Sequence, residues 1–189
     1  MKQIIIIIIS GLAVFTLGFS ACKKWEDPAA VSDPRLTNPY CNDPDAVNYN
    51  WGFPGKPDNT LCYFPTDLFK GTWLLVDSVY ITSTGLFIHA DSIYLNIYPI
   101  AQSHTKLAVL GFCGGGDTLK MTAAAASYNA AVDTTLGDSL TNRGQKWCRI
   151  QDTVNGSIFN SRIDSMLHIT LQVISDTGVT THLGKARRL

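Results

Sequence analysis

The chain has 189 residues, with 15 Lys and Arg against 15 Asp and Glu, for a formal net charge of zero. A balanced chain without basic blocks lacks the electrostatic footprint that nucleic-acid binding requires, so no nucleic-acid partner is expected. The length suits one main domain with small appendages.

Met1-Lys2-Gln3 is a short positive start. An isoleucine run over 4–9 follows, extended by Leu12, Ala13, Val14, Phe15 and Leu17, and small residues Ser20 and Ala21 precede Cys22. This is the charged, apolar and small-residue order of a secretory signal. Gly11 and Gly18 dilute the apolar stretch. It also sits at the short end of the roughly 20 residues that a membrane-spanning helix needs. Phe19-Ser20-Ala21-Cys22 resembles the bacterial lipobox, with Phe where Leu is usual. The resemblance implies cleavage before Cys22, a diacylglycerol on its thiol and a further acyl chain, of the palmitate type, on its amino group. Several acyl chains at ~0.8 kcal/mol per buried CH₂ make a stable anchor. Cys22-Lys23-Lys24-Trp25-Glu26-Asp27 resembles the surface-export signal of Bacteroidota-type lipoproteins. The implied address is the outer membrane, lipid-anchored, on the periplasmic face or the cell surface.

Loss of residues 1–21 takes away one lysine and leaves 168 residues at net charge −1. Four further cysteines remain: Cys41, Cys62, Cys113 and Cys148. An even number in an exported chain predicts disulfides with three possible pairings, of which sequence proximity favours Cys41–Cys62 and Cys113–Cys148. No CxxC pair is present, so no structural zinc site is expected.

Residues 22–40, with Pro28, Pro34 and Pro39, read as the lipidated Cys and a flexible linker. Residues 41–66 read as a small Asx- and Pro-rich module bracketed by Cys41 and Cys62. A loop this irregular needs a staple, and a bond between its ends contributes roughly 3 kcal/mol in the loop-entropy model. Cys41-Asn42-Asp43-Pro44-Asp45-Ala46-Val47-Asn48-Tyr49-Asn50 through Cys62 resembles a module repeated in secreted Bacteroidota proteins. Asp43, Asp45, Asn48, Asn50 and Asp58 carry oxygens of the kind Ca²⁺ takes, but not at EF-hand spacing. The competing reading is that they cap turns. No cofactor is expected beyond that Ca²⁺ candidate.

From residue 67 the pattern changes to alternation. A strand is predicted from Gly71-Thr72-Trp73 through Tyr80. Ile93, Leu95 and Ile97 share one face of a second, and Lys106 to Phe112 forms a short third. The clearest runs over Ile163, Leu167, Ile169, Leu171 and Val173, with Asp164, Met166, His168, Thr170 and Gln172 opposite. Met121 to Ala131 fits a helical turn or a strand. Turns are predicted at Ser83-Thr84-Gly85, Gly114 to Asp117, Asn155-Gly156, Asn160-Ser161 and Asp176-Thr177-Gly178. The fold class is all-β, a small antiparallel barrel or sandwich over 67–189. Phe69-Lys70-Gly71-Thr72-Trp73 resembles the Gly-x-Trp opening of lipocalin-like barrels, where the Trp closes the floor. Gln145, the stretch Gly156 to Thr170 and Gly184-Lys185-Ala186-Arg187 keep that resemblance going to the end of the chain. It implies a fold and a location but no activity. The bulky inward positions lean towards a filled interior.

Catalytic chemistry is not expected. Gly137-Asp138-Ser139-Leu140 spells the nucleophile motif of GDSL hydrolases, but Val132 to Leu136 is a poor buried strand. Asp164 and His168 also have the wrong spacing, and a nucleophile needs a base held beside it. His89, His104, His168 and His182 are scattered and read as surface residues. The basic residues Lys185, Arg187 and Arg188 read as a solvated end. Asp-Ser/Thr-apolar or Asp-Thr-Thr triplets recur from Asp77 to Met166 and resemble the O-glycan acceptor motif of exported Bacteroidota proteins. Thr134 and Ser139 are the glycosylation candidates. The functional expectation is a lipid-anchored, non-catalytic binding or structural domain. It would partner the membrane through its lipid and, beyond that, envelope proteins or a small apolar ligand. The alternatives are a lipocalin-like carrier of such a ligand and a GDSL-type esterase.

Overall fold

Alternating residues close into a ring. The computed structural model describes residues 33–101, 103–114, 116, 118–124, 127–134, 144–149 and 151–189. Of these, Arg35–Leu189 forms one compact unit. Two short strands, β1 (Pro39–Tyr40) and β2 (Lys56–Pro57), pair in parallel. A one-turn helix, α1 (Pro65–Phe69), follows. Then come β3 (Gly71–Ile81), β4 (Phe87–Pro99), β5 (Lys106–Leu110), β6 (Leu119–Ala124), β7 (Asn129–Val132), β8 (Gln145–Lys146), β9 (Thr153–Ser161), β10 (Met166–Ser175) and β11 (Gly178–Arg188).

The order β10-β11-β3-β4-β5-β6-β7-β9, with β9 also paired to β10, closes an eight-stranded antiparallel barrel. β8 pairs with β9 at Thr153 and Val154, on the edge that β7 takes from Ser157 to Phe159. Closure decides between the two predicted architectures in favour of the barrel, and it removes most of the sheet's edges.

Period two places every second side chain inside. Trp73 and Leu75 face Leu95, Ile97, Leu107, Val109 and Met121 across the interior, and all are buried. Val154, Ile158, Leu167, Ile169, Leu171 and Ala186 complete that core. Each fully buried Leu or Ile contributes about 1.5–3 kcal/mol, so the core is the main source of stability.

α1 lies at the floor. Pro65 suits its first position, and Asp67 reaches back to accept from the Phe64 N–H at 2.8 Å. Burial pushes the Asp67 carboxyl up. The bond from Lys70, the Phe64 N–H and the Lys70 charge together outweigh this and hold it below the ordinary carboxylate value. The indole N–H of Trp73 donates to the Phe69 carbonyl at 2.8 Å, and Asn160 donates to the Leu68 carbonyl.

Several local expectations are corrected. Asn155-Gly156 and Asn160-Ser161 lie within β9 instead of in turns. Gly156 holds φ +132° there, with its neighbouring strand too close for any Cβ. Ile163 is fully exposed in the β9–β10 turn, where Ser165 takes a left-handed φ of 57°. The alternation therefore begins at Met166. Within the ambiguous alanine stretch, residues 121–124 and 129–131 are strand: β6 and β7 pair with each other, and Ala123 and Ala130 are buried. Arg188 is exposed, as are Lys185 and Arg187, but it is also held by the floor. Its guanidinium sits 5.0 Å from the centre of the Trp73 ring and donates to the Lys70 carbonyl.

Candidate functional site

The inward face turns polar only towards the mouth. On β3 the inward series runs Trp73, Leu75, Asp77, Val79, so an acid follows two core residues. Register places Asp77 between Gly184 and Asp91, and Val79 between His182 and His89. Two aspartates and two histidines thus share one face of the sheet, with Asp77 and His182 enclosed and His89 and Asp91 exposed. Asp77 is buried, and its Oδ2 lies 2.6 Å from Nδ1 of His182. The other oxygen, Oδ1, is buried without a hydrogen-bond partner among the described residues. Such an oxygen costs roughly 1–3 kcal/mol. Across the sheet, His89 and Asp91 pair at 3.1 Å in an exposed setting. His182 is thus not the surface residue expected. Its signal was its parity with Ala186 and Gly184 on the inward face of β11.

Among the described residues His182 bonds no hydroxyl or thiol, so no nucleophile–base–acid series is assembled there. No three His, Cys, Asp or Glu residues among those described are arranged as metal ligands.

The four cysteines form two disulfides, Cys41–Cys62 and Cys113–Cys148. The first ties the Asx-rich module. Asp43 accepts from the Asp45 N–H, Asn48 from the Tyr63 N–H, and Asp58 from the Thr60 N–H and hydroxyl. The Thr60 bonds hold the Asp58 carboxyl below its ordinary range. Asn48 also donates to the Leu61 carbonyl, and Asn50 takes a left-handed φ of 57°. The Ca²⁺-candidate oxygens of Asp43 and Asp58 are therefore engaged in capping turns, and that of Asn48 ties its loop to Tyr63.

Asp164 and His168 meet at 2.7 Å on the outside of the barrel. The Ser161 hydroxyl, then His168 and the Met166 N–H, hold the Asp164 carboxyl down to about 2. A carboxyl depressed in the folded state stabilises the fold above its unfolded pKa of about 3.9. That contribution is lost as pH falls towards 2. Asp164→Asn is expected to flatten the loss of melting temperature between pH 4.5 and 2. An unchanged slope would show that this bond does not contribute.

Cys22, Ser139 and the 137–140 motif lie outside the described residues, whereas Thr134 is exposed just after β7. No described helix is long and apolar enough to cross a membrane. A depression of about 440 Å³ lies on the outer wall, between Val76 and Ser78 of β3, Leu183 and Lys185 of β11, and His168 and Thr170 of β10. No protein-family model matches the chain, and no curated protein does.

Proposed function

We propose that this chain is a lipid-anchored envelope lipoprotein, held in the outer membrane through Cys22, whose β-barrel is a non-catalytic binding or structural domain. The observation that carries the reading is the filled interior: Leu75, Leu95, Leu107, Met121, Ile169 and Leu171 are all fully buried. A carrier of apolar molecules needs its inward positions small or withdrawn, leaving a cavity of several hundred Å³. The depression of about 440 Å³ is on the outer wall. The resemblance of residues 19–28 to a lipobox with an export signal supports the anchor, and the two disulfides fit an oxidising compartment.

Two measurements on the full chain in expressing cells test this. Labelled palmitate is expected to enter the wild-type chain and not Cys22→Ser; equal labelling would overturn the anchor. Native mass spectrometry of the detergent-released protein is expected to show no bound apolar molecule. A retained ligand would make the carrier reading correct and the filled barrel wrong.

A further inference from the structure

β4 is the longest of the described strands and the least enclosed. It pairs with β3 over Phe87–Ile97, yet with β5 only over Asn96–Pro99. After β5, Gly111 still lies against the Tyr94 carbonyl, so close that a Cβ would fall on that oxygen. Beyond it, towards the mouth, nothing among the described residues pairs with the outer edge of β4 from Phe87 to Ile93. Every residue from Phe87 to Ser92 is exposed. A long edge of this kind is a template for another strand unless it is blunted by lysine or proline. Neither occurs between Leu86 and Leu95.

The order of residues along this edge selects the partner. When two copies pair antiparallel about Ala90, His89 of each stands opposite Asp91 of the other. Beyond that pair, Leu86, Phe87 and Ile88 of each copy, at and past the bulged end of β4, come alongside Ser92, Ile93 and Tyr94 of the other. A histidine meets an aspartate, a hydrogen-bonding pair, on either side of the centre, and apolar residues gather at both ends, which is the pattern that stabilises cross-strand pairs. Moving the axis by one residue, onto Asp91, would put the two aspartates face to face. The large apolar side chains left exposed here are Leu86 at 62%, Phe87 at 52%, Ile88 at 46% and Tyr94 at 67%. Tyr94 lies in the regular strand and the other three at its bulged end, so the pairing brings them together. A bulge at Ile88, where β4 shifts register against β3, bounds the regular ladder on the mouth side. A two-fold axis makes the interface self-complementary, and it leaves no edge of this stretch to recruit a third copy.

We infer that β4 is a homodimerisation edge, with a second copy of this chain added antiparallel about Ala90. The test is oxidative cross-linking of the full chain carrying Ala90→Cys in cell envelopes. On the axis the two introduced thiols face each other, so a reducible dimer is expected. Adding Asp91→Lys is expected to lower the cross-linked fraction about tenfold, and the further change His89→Asp to restore it by pairing Asp with Lys. Sedimentation of the detergent-released wild type is expected to show a concentration-dependent dimer that Asp91→Lys weakens. An introduced thiol that reacts with maleimide but yields no dimer would overturn the inference. So would a wild type that stays monomeric, or a dimer indifferent to Asp91→Lys.

Discussion

Trp73→Ala is expected to destabilise the barrel by about 3–5 kcal/mol, the range for removing a buried aromatic from a core. At this chain length that lowers the melting temperature by roughly 10 °C. Trp73 is buried, and three separate parts of the chain converge on it. Its ring packs in the core at the start of β3. Its N–H bonds the last turn of α1. Arg188, at the end of β11, covers its face. Truncation leaves a cavity, an unpaired Phe69 carbonyl and an arginine without its platform at once. Trp73→Phe keeps most of the volume and loses only the donor, so it should cost about 1–2 kcal/mol. Denaturant unfolding of the three proteins decides it. A Trp73→Ala cost below about 1 kcal/mol would mean that α1 and the floor contribute little to the fold.

Gly156→Ala is expected to be as damaging, although it adds a single methyl group. Gly156 sits at φ +132° in the middle of β9, directly opposite Leu171 of β10. A Cβ there would land on the Thr170 carbonyl oxygen and 2.8 Å from the Leu171 Cα. Those atoms are backbone on the neighbouring strand of the closed ring, so neither can step aside without opening the β9–β10 ladder. Strained backbone plus overpacking puts the expected cost above about 3 kcal/mol. Gly85→Ala is the matched comparison. Its φ is +68°, but nothing lies within 4 Å of its Cβ position, so only the left-handed penalty of about 1–2 kcal/mol applies. Equal effects in the two variants would show that torsion alone, not strand proximity, sets the cost at Gly156.

Legibility differed between the barrel and its wall of polar groups. Ile93, Leu95 and Ile97, or Leu167, Ile169 and Leu171, declare their buried face because alternation is a local property of a strand. Gly156 deceived for a physical reason: Asn-Gly is a strong turn signal, and the same freedom at positive φ also serves where two strands approach too closely for a Cβ. The alanines of β6 and β7 carry little propensity information, and their size became meaningful only against the bulky residues facing them. Asp77 and His182 are 105 positions apart in sequence. Each sits on an inward parity, but only the β3–β11 register brings them to 2.6 Å.

The residues alone settle what depends on neighbours in sequence. These are the all-β class, the strand faces, the Asx turns of the module and an even set of cysteines beyond Cys22. The tertiary structure decides what depends on neighbours in space. It closes the ring instead of stacking two sheets. It also buries Asp77 against His182 and leaves the β4 edge unpaired, among the described residues, where β5 stops short. Alternation records which side of a strand is apolar. It carries no record of which strand lies beside it, because that is fixed only when the whole barrel closes.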